Sequence, residues 1–273
     1  MNAYAQTWAI IRKELYQRRW ALFGYSLAAI AFLLLYILIY PSFQSETAKF
    51  NELLEAYPKA LLQAFNIDQL QLSTFEGYIS AEHFSFVWPL MAIFLSMSLA
   101  GVAFAGEIEK GTMAFLLSQP LSRARIFVAK YLGAIVALTI FVVLSILAII
   151  PLAGLQNISV DAGNILRTAT ISLLFAWAIY ALSTMVSSVV SERSKSYFAV
   201  GGLLLLMYVS NVVSGLVNGL DWLKFTSFFH YYQPAKILAG GSIETLSLAV
   251  FIGTIVIATI IGYILFKYRD ISV

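Results

Sequence analysis

The sequence predicts an all-α polytopic membrane protein with six transmembrane helices, an N-terminal interfacial helix and both termini in the cytoplasm. Three observations carry that prediction. Six stretches of predominantly apolar residues reach the length of about 20 needed to cross a hydrocarbon core of roughly 30 Å. Of the 273 residues, 60% are hydrophobic and 11% charged, against roughly 45–50% apolar and 25% charged in soluble domains. Basic residues gather on one side of the alternating connections, as the bias of cytoplasmic loops toward Lys and Arg requires.

The six stretches are 20–40, 84–105, 127–152, 165–190, 198–217 and 246–266. Each is apolar on every side, and none alternates with the period of two that a barrel wall needs. With the termini inside, 12 of the 17 basic residues lie inside, at Arg12, Lys13, Arg18, Arg19, Lys110, Arg123, Arg125, Lys130, Arg193, Lys195, Lys267 and Arg269. Nine of the 14 acids fall outside. The composition excludes a soluble enzyme and a disordered chain. The absence of cysteine excludes disulfides, thiolate metal sites and thiol nucleophiles. A net charge of +3 with scattered cations gives nucleic-acid binding little support. A cleaved leader is not expected, because the first span follows about 19 patterned residues and no small-residue cleavage site comes after it.

Residues 1–19 place Tyr4, Trp8, Ile11 and Leu15 at helical spacing, with Gln6, Arg12, Lys13 and Gln17 largely elsewhere on the wheel. Two readings fit: a helix lying in the cytoplasmic interface with its cations on anionic headgroups, or a plain positive-inside anchor. The remainder, 20–273, forms the six-span domain. Its first external segment, 41–83, has Phe50, Leu53, Leu54, Tyr57, Leu61, Leu62 and Phe65 in helical rhythm around Pro58, so one bent helix or two short ones are expected. A second external segment, 218–245, carries Phe225, Phe228, Phe229, Tyr231 and Tyr232 before Pro234, a density of aromatics that suits the headgroup layer.

The most informative stretch is the cytoplasmic loop 106–130, GEIEKGTMAFLLSQPLSRARIFVAK. Gly111 with Thr112 reads as a helix break followed by a new N-cap, and Pro120 with Ser122 stops one short helix and starts the next. Glu107 and Glu109 on one arm face Arg123, Arg125 and Lys130 on the other. Those charges can lock the bend by ion pairs or pair with another protein.

Glu107-Ile108-Glu109-Lys110-Gly111-Thr112, then Leu116-Leu117-Ser118-Gln119-Pro120-Leu121-Ser122-Arg123, and Lys130 seven residues on, resemble the signature loop of the membrane-spanning subunits of type 2 ATP-binding-cassette (ABC) exporters. Lys13-Glu14-Leu15 and the stretch from Phe266 to Ile271 are weaker echoes. The resemblance implies a permease subunit that pairs with an identical or paralogous copy and docks a separate nucleotide-binding subunit, which would hold ATP and Mg. No G-x-x-x-x-G-K-[ST] phosphate loop occurs in the chain, and no cofactor of its own is expected. By the same resemblance, Glu107, Glu109, Gly111, Thr112, Leu116, Leu117, Pro120, Arg123 and Lys130 would couple the chain to that ATPase. Leu116 and Leu117 would fill an apolar groove and the charges would fix the register. A prokaryotic plasma membrane is the implied location. The alternative is a membrane anchor that docks an ATPase or assembly factor without moving a substrate.

No Asp, Glu, Lys or Arg lies near the middle of a predicted span, which argues against a proton relay or ion-coupled carrier. Ser210, Asn211 and Ser214 are the polar residues placed to line a pathway, with helix–helix hydrogen bonding as the plainer role. Pro89 and Pro151 would kink or end their helices. His83 and His230 are both expected outside the spans, too sparse for a metal site, and no catalytic constellation is present.

Overall fold

A computed structural model describes residues 3–55, 74–119, 121–217 and 219–270, with the backbone alone at 3–6 and 47–55. Six helices in it are long and apolar enough to cross a membrane, and no strand occurs among the described residues. In chain order these are α1 (Ala3–Glu55), α2 (Phe75–Ala103), α5 (Arg123–Gly154), α6 (Ala162–Ser187), α7 (Arg193–Leu216) and α10 (Thr245–Tyr268). Between α2 and α5 lie the short α3 (Ala105–Glu109) and α4 (Thr112–Leu117). Between α7 and α10, a 3₁₀ turn at Asp221–Thr226 precedes α8 (Phe228–Tyr231) and α9 (Pro234–Leu238).

α6 is the central helix. It packs against α10, α2, α5, α9 and α7, and Ile171, Phe175, Ala176, Ala178, Ile179, Tyr180 and Ala181 on it are wholly buried. Small residues alternate there with large ones, which lets the neighbouring backbones close in on α6 while the large side chains fill the space between. α1 packs chiefly on α5. Asp161 caps α6 by accepting the Asn164 N–H at 2.8 Å, and Ser122 caps α5 by accepting the Arg125 N–H at 3.3 Å, so the N-cap expected at Ser122 is present.

Two expected breaks are absent. α1 is one helix of 53 residues that passes through position 19, where the interfacial segment was to end, and through Pro41. At 1.5 Å per residue it is about 80 Å long, well over the ~30 Å of hydrocarbon, so its ends project from any bilayer it crosses. Of the helical segment expected around Phe50–Phe65, residues 50–55 form the end of α1; 56–73, with Pro58, lie outside the described residues. Pro151 does act locally. It has no N–H to offer the preceding turn, and α5 is interrupted by a turn at Ala148. In α2 a π-helical stretch, Ser80–Val87, ends just before Pro89.

Candidate functional site

The loop between α2 and α5 folds into a knob. Phe104 breaks α2, and Gly111, at φ +70°, turns the chain between α3 and α4. A Cβ there would touch nothing, so the conformation alone asks for glycine. Thr112 is not the cap expected of it. It is the first helical residue, and its hydroxyl reaches back to the Glu107 carboxylate and to the Glu107 carbonyl, the latter at 3.2 Å. α4 lays Met113 and Leu116 into a small second core with Ala103, Phe104, Ile126, Phe127 and Phe266, and Leu117 packs at its edge. Leu116 is only 8% exposed, whereas Phe115 is 67% exposed. The apolar side chain that the knob presents outward is therefore Phe115, not the leucines expected to fill a partner's groove. Pro120 lies outside the described residues.

Beneath the knob is a set of buried charges. The Lys130 ammonium is 1% exposed and donates to Glu14 Oε1 at 2.5 Å and to Glu107 Oε1 at 3.0 Å. Arg18 Nη2 donates to the other Glu14 oxygen at 3.0 Å. Two acids and two bases thus balance, as burial demands. Partial burial is the largest single influence on Glu107 and would raise its pKa. The Lys130 charge, the hydrogen bonds from Thr112 and Lys130 and the field of Lys13 together outweigh it and hold the carboxyl below its ordinary range. Of the two ways open to the loop charges, locking by ion pairs is what Glu107 and Lys130 do. Gly133 on α5 makes room for this: a Cβ there would lie 3.1 Å from Glu14 Cβ and 3.7 Å from the Ile11 carbonyl. Correspondingly, Ile11 and Glu14 turn inward while Trp8, from the expected apolar stripe, is 66% exposed.

Further bonds tie the knob to the other helix ends. Glu109 accepts the backbone N–H of Arg193 at 2.9 Å and its Nε at 3.3 Å, which joins α3 to the start of α7. The backbone bond from Arg193 leads the influences that lower the exposed Glu109 carboxyl's pKa. The Ala105 N–H donates to Ser187 Oγ at 3.0 Å, at the end of α6. Arg123 Nη1 donates to the Lys267 carbonyl at 3.2 Å and the Arg269 carbonyl at 2.5 Å, neutralising orphan acceptors at the end of α10. Arg269 in turn donates to the Ser188 and Val190 carbonyls at 3.0 and 2.9 Å and to Ser191 Oγ at 2.6 Å.

A family model described as ABC-2 family transporter protein matches residues 8–271. The chain belongs to the ABC-2 transporter family. It matches no curated protein. Within this ABC-2 membrane protein the knob is the stretch that sequence resemblance singled out, and the structure gathers Glu107, Glu109, Gly111, Thr112, Leu116, Leu117, Arg123 and Lys130 there, with Lys130 and Leu116 turned inward.

The other candidates do not assemble into a site. Ser214 is buried and its hydroxyl donates to the Asn211 carbonyl at 2.7 Å, a bond within α7; Ser210 and Asn211 are half-buried. His83, expected outside the spans, is inside α2 and fully buried between the rings of Tyr36 and Phe84. Neither of its nitrogens has a hydrogen-bond partner among the described residues. His230 is half-buried beside Phe225 and Tyr231, and burial is the leading cause of its lowered pKa. Among the described residues no three potential ligands meet to hold a metal. Sequence reasoning missed Phe115, Arg193 and the place of Glu14. The last had a signal, since Glu14 is the sole acid in the basic segment 1–19 and shares a helical face with Ile11 and Arg18.

Proposed function

We propose that this chain is the permease subunit of an ATP-driven exporter, paired with a second permease subunit and driven by a separate nucleotide-binding subunit that holds ATP and Mg. The reading puts it in a prokaryotic plasma membrane with both termini and the knob in the cytoplasm. The observation that carries it is Phe115, an aromatic side chain projecting from a short helix that Met113 and Leu116 anchor in the second core. An exposed aromatic ringed by the polar Thr112, Ser118 and Gln119 has the form of an interface anchor. A groove on the ATPase that accepts Phe115 would grip α4, and closure of the ATPase pair would then move α4 with α3 and the start of α5. Through Arg123, Arg269 and Glu109 the displacement reaches α10, α6 and α7, whose tilting would open the pathway to one side or the other.

The test places a photoreactive phenylalanine analogue at position 115, with position 222 at the opposite end as the control. Cross-linking in intact cells is expected to capture an ATP-binding subunit, identified by mass spectrometry, from position 115 only. Equal capture from both positions, or capture of no ATP-binding protein from 115, would sink the reading.

A further inference from the structure

We infer that Lys130 is a positioning residue, which binds the N-terminal part of α1 and the α3–α4 knob into one body through the buried set Glu14–Lys130–Glu107. The inference rests on the docking role just proposed for the knob, and it concerns how the knob is held in the orientation a partner meets. Three different elements contribute: Glu14 from α1, Lys130 from α5 and Glu107 from α3. The Lys130 side chain, 1% exposed, reaches no surface through which it could meet another protein. Glu107 is held a second time by Thr112, so the chain on both sides of the Gly111 turn is fixed to the same ammonium. A Cβ on Gly111 would meet no atom within 4 Å, so no side chain packs over that side of the turn. Without Lys130, the bond between Glu107 and Thr112 would survive and the second core would still hold α4 on α5, but the pair would lose its polar link to Glu14 on α1.

A cysteine-free chain makes the measurement direct, because introduced thiols are the sole sites for spin labels. Labels at Trp8→Cys and Ser118→Cys, both on exposed residues, report the distance from α1 to the knob. Labels at Leu155→Cys and Trp222→Cys, also exposed, report the opposite end. Pulsed dipolar spectroscopy on the purified protein in nanodiscs needs no partner, so its outcome is separate from whether an ATPase docks. The native background is expected to give one narrow 8–118 distribution. The variant Glu14→Gln/Lys130→Met removes one charge of each sign and keeps the set balanced, whereas Lys130→Met alone would leave two carboxylates, Glu14 and Glu107, against Arg18. It should lose the narrow 8–118 distribution while the 155–222 distribution stays unchanged, and Lys130→Arg should retain the narrow distribution. A narrow 8–118 distribution in the double variant overturns the inference. So does equal broadening of both pairs, which would mark a general structural role.

Discussion

The two ends of the bundle differ in how far charge takes part in holding the helices together. At the loop end, around the packed rings of Phe104, Phe127 and Phe266, charged and directional contacts also join separate helices: Glu14, Arg18, Glu107 and Lys130 in one set, Glu109 with Arg193, and the chain of bonds from Arg123 to Arg269 to the end of α6. At the opposite end rings predominate, with uncharged hydrogen bonds such as those of Trp88 with Ser145 and Ser172 with Tyr232 among them. Phe141, Trp88, Tyr232 and Phe175 stack in series with ring centroids 5.9, 6.1 and 4.6 Å apart, and Phe228 and Phe251 continue the cluster. The Lys236–Glu244 ion pair at that end is half-exposed. Hydrogen-bonded charges are satisfied in a single arrangement, whereas stacked rings bury similar area over a range of offsets. The difference suits an end that must transmit a position and an end that must accommodate it.

The largest effect expected from breaking this contrast is at Lys130. Lys130→Met strands a buried Glu14 beside Arg18 alone and should cost about 3–5 kcal/mol in unfolding by detergent titration, much of which Glu14→Gln should restore. Next is the close approach that makes the set attainable. Gly133→Val would push against Glu14 Cβ and the Ile11 carbonyl and should cost about 1–3 kcal/mol by the same titration. At the aromatic end, Trp88→Phe keeps a ring in the stack but abandons the 2.9 Å bond to Ser145 Oγ, so about 1–2 kcal/mol is expected. A loss there matching that of Lys130→Met would erase the distinction between the ends.

Acid sharpens the comparison further. Glu107 releases its proton more readily in the folded chain than in the unfolded one, so its contribution to stability is complete at neutral pH. It is lost as the pH falls below the usual carboxylate range toward the lowered folded value. Glu107→Gln should therefore flatten the acid limb of a stability–pH curve. The smallest effect on stability is expected at the knob's tip, where Phe115→Ala should stay within about 0.5 kcal/mol of the native chain while abolishing co-purification with the proposed ATP-binding subunit.

How much of this could be read from the residues alone varies by element. The six spans are legible because a run of about 20 apolar residues has few other uses. The turn at Gly111 and the cap at Ser122 are legible because backbone geometry and capping are local matters. The facing of α4 is not. Phe115, Leu116 and Leu117 are consecutive on a helix of six residues, and what draws Leu116 inward is Phe104, Phe127 and Phe266, the last contributed from far along the chain. The continuity of α1 was hidden for a related reason: its cationic first turns look like a separate interfacial element until Ile11 and Glu14 are seen against α5. Glu14, one of the two partners of Lys130, lies 116 residues away, and a pairing across that separation leaves no periodic trace.

The unbroken α1 has a geometric consequence. Fixed near one end at Glu14, it runs 41 residues on to Glu55 without a joint, a span of about 60 Å. A tilt of about 5° around the Glu14 pivot would sweep its far tip sideways by roughly 5 Å over that helical length. Because Ala29, Leu33 and Ile37 of the same rod are buried in the main core along the way, such a tilt would carry the packed neighbours with it, so that the charge set and the far tip are joined by one continuous helix.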